Sequence, residues 1–307
     1  MKLEHLHIDS NKVFQDFDID FCIESKPADI IVIAGINGSG KTTLLKEIDN
    51  QYPEDVLYLP ASDGSGIYDL QSHIANYVDK IVYEDGKTST EAYRDIQRSM
   101  DSVFKDFNVQ VRFNGLNRDR KLVFTNAHGD KFDMEALSSG ERQILGKVFP
   151  LFIHKIKKGL VILMDEPEES LHPSWQSCLV PILRQYAKEN DCQFILATHS
   201  PQIISSVRKE ELRLLVRDEN SYVRAVTCSE GPYGWTVEKV LSEIQDVQHF
   251  RVPEVEDKLE RLRKMIEERH YETDEFHSLW DEMEELLGYS DTDLILMRME
   301  IIRKKKQ

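Results

Sequence analysis

Apolar and polar positions alternate along the N-terminal segment, and the alternation then gives way to solid apolar runs. LEHLHI and VFQDFDIDF carry the period of two expected of half-buried strands. ADIIVIAG is wholly apolar, as in a strand covered on both faces. That run meets a glycine-rich turn and a helical stretch, TTLLKEIDN, and then a further strand, DVLYLP. Residues from about Gln71 to Phe107 read as helical and rich in charge. From Val109 to Phe132 alternation returns in VQVRF and KLVFT, with Asn114-Gly115 and His128-Gly129 marking hairpin turns. Ser139 to about His154 predicts a helix, LVILMD a buried strand, Ser174 to Glu189 a helix and QFILATH another buried strand. ELRLLVR and SYVRAVT continue as strands. Past Gly231 the strand patterning stops. Val255, Leu259, Leu262 and Ile266 share one helical face, Phe276, Leu279, Trp280, Met283 and Leu287 share another, and Leu294 to Ile302 makes a third helix.

The pattern predicts an α/β domain over residues 1–230, with a helical and β-hairpin lobe at about 65–135, and a helical segment over 231–307. Of 307 residues, 40% are hydrophobic, enough for a core of one large domain or one and a half. Lys and Arg number 39 against 55 Asp and Glu, giving a net charge of −16. That excludes a chain coated in basic charge for indiscriminate nucleic-acid binding, although a local basic groove is compatible with it. Arg112, Arg118, Arg120 and Lys121 are the candidates for such a groove or a solvated edge. The helical segment holds 12 basic and 19 acidic side chains and is acidic apart from Arg303 to Lys306, which read as a soluble terminus. Mean hydropathy is −0.46, and no apolar run approaches the ~18–20 residues of a membrane span. The N-terminus lacks the apolar core of a secretory signal. Cys22, Cys178, Cys192 and Cys228 lie far apart, which argues against a zinc or disulfide framework. A soluble protein of the reducing cytoplasm is expected.

Four segments carry chemistry. Gly35 to Thr42, GINGSGKT, matches G-x-x-x-x-G-K-[ST] between a buried strand and a helix, the setting the motif requires. Gly35, Gly38 and Gly40 let the backbone turn tightly so that N–H groups, from Asn37 through Thr43, face phosphate oxygens. The following helix adds its positive end. Lys41 reaches the outer phosphates, and the Thr42 hydroxyl suits Mg²⁺, a cation that keeps most of its waters. In LVILMDEP an apolar strand ends in Asp165 and Glu166, so two carboxylates emerge at its C-terminal edge. Asp165 suits the metal and Glu166 a general base that polarises the attacking water. ATHS ends the strand QFILATH and puts His199 where a γ-phosphate sensor is wanted. LSSGERQ, taken singly, is a helix entry capped by Ser138 or Ser139.

The order of phosphate loop, LSSGE, apolar run ending in Asp-Glu, and strand ending in His resembles the ABC-type ATPases. The resemblance implies an ABC-type P-loop nucleotide-binding domain that hydrolyses ATP with Mg²⁺. Lys41 and Thr42 bind phosphate and metal, Asp165 supports the metal, Glu166 is the base, and His199 contacts the γ-phosphate. Ser138, Ser139 and Gly140 stand in the signature motif, which in this family binds the γ-phosphate held by the other subunit. ATP is therefore sandwiched in a homodimer, serving as substrate and as glue. Ser139 stands where transporters carry Gly, and Glu141 where they carry Gln, as in SMC-like relatives.

DEPE-x-SLHP-x-WQ, Asp165 to Gln176, resembles the soluble SMC/RecF/OLD-like branch rather than the transporters. About 100 residues separate phosphate loop and signature, which leaves no room for a long coiled coil. The helical segment is too short for a Toprim nuclease domain, and there is no HNH-like His/Asn cluster. Tyr233-Gly234-Trp235 and the helices beyond look like the end of short antiphage-defence ATPases, Septu-type or retron-linked. The resemblance implies an ATPase that senses or gates beside a separately encoded nuclease or other effector docked on the C-terminal helices, with DNA or RNA as a further ligand and no membrane partner. The alternative is a RecF/SMC-like DNA-repair clamp without a toxic effector. ASDGSG, after DVLYLP, is where a lid loop would start, and Phe14 and Phe17 are each open to a base-stacking or a core role.

Overall fold

The computed structural model describes residues 1–61, 66–117, 121–149, 151 and 157–306. Arg118, Arg120, most of ASDGSG and the stretch leading to His154 lie outside the described residues. The chain divides into two compact units, Met1–Gln245 and Asp246–Gln307.

The first unit opens with an antiparallel hairpin of β1 (His5–Ser10) and β2 (Gln15–Asp20), in which Leu6 faces Ile19 and Ile8 faces Phe17. Phe14 and Phe17 are both fully buried, with ring centroids 4.4 Å apart, so both belong to the core. After a small hairpin, β3 (Cys22–Ile23) and β4 (Lys26–Pro27), the chain enters β5 (Ile30–Ala34), all five residues of which are buried. The phosphate loop leads into α1 (Lys41–Gln51), and β6 (Val56–Leu59) follows.

The lobe comes next. It comprises α2 (Gly66–Tyr83), α3 (Ser89–Asp106) and an antiparallel sheet of β7 (Val111–Leu116), β8 (Leu122–Asn126) and β9 (Lys131–Asp133). The helix expected from Gln71 breaks at Gly86, and a capping box between Thr88 and Glu91 starts α3. Its core gathers Ile96, Met100, Phe104, Phe113 and Phe124. Asn114-Gly115, expected as a hairpin turn, instead lies inside β7. There the register slips between Phe113 and Gly115, and Gly115 takes φ +102° as a bulge because pairing to β8 runs on to Leu116. The turn at His128-Gly129 does join β8 to β9, with the Asn126 side chain accepting from the His128 and Asp130 N–H groups.

α4 (Ser139–Gln143) runs into a π-helical turn over Ile144–Val148. Then follow β10 (Val161–Asp165), α5 (Pro173–Asn190), β11 (Gln193–Thr198), α6 (Pro201–Ile204), β12 (Leu212–Arg217), β13 (Val223–Val226) and α7 (Val237–Gln245). The central sheet has the order β13-β12-β5-β11-β10-β6, parallel throughout except for β13 at one edge. α5, α7 and the lobe-side residues cover one face, and α1 with the N-terminal hairpin covers the other. Two covered faces explain why β5 and β10 read as unbroken apolar runs. Each large aliphatic side chain buried there contributes roughly 1.5–3 kcal/mol.

The expected division at residue 231 falls instead after Gln245, because Val240 of α7 is fully buried in the core of the central sheet. The second unit packs α8 (Pro253–Glu267), α9 (Asp274–Leu287) and α10 (Thr292–Lys305) around Leu259, Leu262, Ile266, Met283 and Leu294. Arg251 clamps the start of α10 through Asp291 at 2.7 Å and Asp293 at 2.9 Å. No described helix is long and apolar enough to cross a membrane.

Candidate active site

Strand register brings distant segments to one edge. Ala34, the last residue of β5, lies opposite Thr198 of β11, and Ala197 lies opposite Asp165 of β10. The phosphate loop, the Asp-Glu pair and the histidine turn therefore leave adjacent parallel strands at their C-terminal ends, where open α/β sheets bind ligands.

Gly40 caps α1 at φ +94° without a side-chain cap, so the first N–H groups of the helix are presented to the loop. The Ser39 hydroxyl is buried with no hydrogen-bond partner among the described residues. Lys41 is buried and its Nζ donates to the carbonyls of Gly35, at 2.9 Å, and Ile36, at 3.3 Å. Burial lowers the pKa of its ammonium, against the opposing pull of the Glu166, Glu168 and Asp165 carboxylates. An uncapped helix start, an orphaned hydroxyl and an ammonium hydrogen-bonded to neutral carbonyls fit a bound triphosphate. Asn37 and Gly38 are exposed at the crown of the loop, Thr43 is half-buried behind it, and Arg217 of β12 reaches the Gly38 carbonyl at 3.2 Å.

Thr42 donates to Asp165 Oδ1 at 3.2 Å, and Tyr58 of β6 donates to Asp165 Oδ2 at 3.3 Å. Burial, and then the Asp165 charge, push the Tyr58 hydroxyl well above its ordinary pKa, so it remains a donor. The adjacent hydroxyl and carboxylate oxygens of Thr42 and Asp165 fit the ligands Mg²⁺ prefers.

A side chain at Gly40 has no room. Its Cβ would sit 2.7 Å from Val13 Cγ1 and 3.0 Å from Phe14 Cζ, at a left-handed φ. Gly40→Ala is expected to weaken ATP binding by about tenfold or more, from roughly 1–2 kcal/mol of backbone strain plus the clash with the core beneath. Titration with a fluorescent ATP analogue, beside a thermal melt, checks it.

Glu166 holds a left-handed φ of +43°, and its N–H donates to the Ala197 carbonyl at 2.9 Å. This turn aims its half-buried carboxylate at His199, whose Nδ1 pairs with it. Burial, with the Glu168 charge beside it, pushes the Glu166 carboxyl up to about 8. Glu168 is a residue that sequence reasoning missed. It is buried, and its Oε1 accepts from the Thr198 hydroxyl and from the N–H groups of His199 and Ser200, each at 3.1 Å. The signal available was a third carboxylate set between Pro167 and the buried Leu171.

In the signature segment Ser138, not Ser139, is the N-cap. Its hydroxyl accepts from the Glu141 N–H, and the Glu141 carboxylate accepts from the Ser138 N–H and hydroxyl, both at 2.7 Å. Ser138 and Ser139 are exposed, while Gly140 is buried where a Cβ would meet Trp175 Cζ3 at 2.7 Å. The WQ pair of the SLHP-x-WQ segment thus has two separate tasks. Trp175 backs the signature, and Gln176 accepts from the Ser200 hydroxyl at 2.6 Å. Among the described residues no hydrogen bond or ion pair joins residues 137–143 to the phosphate loop, so the structure gathers Lys41, Thr42, Asp165, Glu166 and His199 and leaves Ser138, Ser139 and Gly140 apart. Arg112, a groove candidate, is exposed and pairs weakly with Asp101 at 3.9 Å.

A family model described as "AAA domain, putative AbiEii toxin, Type IV TA system" matches residues 48–205. The Septu protein PtuA of Bacillus thuringiensis is 25% identical over 218 residues, covering 66% of this chain and 52% of that protein. The Retron Ec83 probable ATPase of Escherichia coli is 26% identical over 182 residues, 55% of this chain and 32% of that protein. The chain thus spans about half of the length of the first relative and about a third of the second. Among solved structures, an SMC head bound to the C-winged helix domain of ScpA superposes with a TM-score of 0.52 at 14% identity, covering 71% of this chain and 94% of that one. The likeness extends to the fold, a P-loop ATPase of the SMC and ABC type.

Proposed function

The chain belongs to this AAA-domain family of ABC-like ATPases, and from that premise we propose that it is a Mg²⁺-dependent, nucleotide-dimerised ATPase that gates a separate effector in an antiphage defence complex. The observation that carries the reading is the convergence of Lys41, Thr42, Asp165, Glu166 and His199 at the ends of three neighbouring parallel strands. Lys41 and the start of α1 take the outer phosphates. Thr42 and Asp165 hold the cation, which when bound neutralises charge on the phosphate oxygens. Glu166 takes a proton from the attacking water, and His199, seated against it, reads the γ-phosphate.

The signature segment stands apart from its own phosphate loop, which supports a composite site completed by a second copy. The C-terminal helices support a docking role, since Leu296, Met299 and Ile302 of α10 are all more than half exposed. The kinship with a Septu protein and a retron ATPase supports the defence setting.

Complementation between two disabled chains tests the sandwich. Lys41→Ala and Ser138→Arg chains are each expected to be inactive alone. Mixed in equal amounts, half of the C₂ dimers carry one intact composite site, so activity should return to about a quarter of wild type. No recovery, with mixed dimers present by mass, would remove the shared site. DNA binding that falls steeply with salt would favour the clamp reading instead.

A further inference from the structure

We propose that Glu168 is a positioning residue, one that locks the histidine turn to the base-bearing turn through a single carboxylate oxygen. The inference rests on the ATPase reading and deepens it.

Glu168 is 6% exposed and lies two residues beyond Glu166 on the turn leaving β10. Its Oε1 collects three donors from a turn about thirty residues away: the Thr198 hydroxyl, the His199 N–H and the Ser200 N–H, the latter two at 3.1 Å. Those donors span every residue from the end of β11 to the cap of α6. The turn has further braces. Gln176 accepts from the Ser200 hydroxyl at 2.6 Å, and Gln245 donates to the His199 carbonyl at 2.6 Å. Among the described residues, only Glu168 grips the backbone on both sides of the His199 Cα from the same turn that carries Glu166. Charge-assisted bonds of this kind are short and strong, and a buried donor left unmade is costly. The His199 ring is itself exposed on its far side, so packing alone does not hold it. Its Nδ1 pairs with Glu166 and lies 3.9 Å from Glu168 Oε1, above a backbone that Glu168 pins. Base and sensor are therefore one rigid unit, and the distance between them does not depend on how β10 and β11 breathe.

Substitutions at both ends of the brace separate this role from simple support. Glu168→Gln keeps an acceptor oxygen and is expected to retain kcat within about threefold, whereas Glu168→Ala lowers kcat by about thirtyfold with KM for ATP within about threefold. Thr198→Val removes one donor isosterically and should cost several-fold in kcat, which covers the case in which the alanine variant does not fold. A second readout needs no turnover. In the nucleotide-free full chain, the His199 imidazole ¹⁵N signals, assigned by their loss in His199→Gln, should move in Glu168→Ala and Thr198→Val and stay in place in Glu168→Gln. Wild-type kcat in Glu168→Ala or Thr198→Val, a loss confined to KM, equal impairment by Gln and Ala, or unmoved His199 signals would each overturn the proposal. A wild-type chain that neither binds nor hydrolyses ATP would instead sink the ATPase reading, and the imidazole spectra would still judge the brace.

Discussion

Replacing Glu166 with glutamine is expected to cut ATP hydrolysis by about three orders of magnitude while leaving ATP bound and the dimer closed. Glutamine keeps the size of the side chain and an acceptor oxygen, so the left-handed turn at φ +43° and the contact with His199 are disturbed little. It cannot accept a proton, so the attacking water is no longer activated. With the Glu166 carboxyl raised to about 8, the neutral amide changes the charge beside the incoming triphosphate little near pH 7 and can only make it less negative. Binding should therefore be as tight as in wild type or tighter. Phosphate release reads the first effect, and sedimentation with and without ATP reads the second. A glutamine variant that stays monomeric in saturating ATP would contradict the role of ATP as glue, and one that hydrolyses normally would contradict the assignment of the base.

Lys41→Ala is expected to abolish useful nucleotide binding, with a loss of affinity of about a hundredfold or more, roughly 2.7 kcal/mol. The loss is large because the lysine is buried and already oriented by the Gly35 and Ile36 carbonyls, at 2.9 and 3.3 Å, so little side-chain ordering offsets its contact with phosphate. Alanine also leaves Asp165, Glu166 and Glu168 with their nearby cation gone, and a triphosphate would then meet a site of its own sign. Ligand at a hundred times Kd stabilises a folded chain by about 2.7 kcal/mol, so the rise in Tm on adding ATP should vanish in this variant. A rise as large as in wild type would count against the phosphate-loop assignment.

The gathering of these side chains at the strand ends was legible because each piece is local. An apolar run ending in Asp-Glu or Thr-His needs only its own neighbours to be recognised, and the sheet then brings the runs into register. What was not legible depended on partners far along the chain. Glu168 reads as one more solvated acid in a turn until β11, thirty residues on, supplies the donors that bury it. Tyr58 is an unremarked strand residue until β6 pairs beside β10 and sets its hydroxyl on Asp165. Asn114-Gly115 has the composition of a turn, but pairing continues past it and makes it a bulge. The end of the first unit was misjudged because α7 looks like the helices after it, and only the burial of Val240 ties it to the sheet. Phe14 and Phe17 could each have stacked on a base, yet the clasp of the first hairpin over the phosphate loop needs both as filling.

Gln245 is the last residue of the first unit and donates a 2.6 Å hydrogen bond to the carbonyl of His199. The last side chain of that unit is thus bonded to the turn that carries the His199 ring rather than to some idle stretch of scaffold. A substitution that removes the Gln245 amide would leave that carbonyl without this donor.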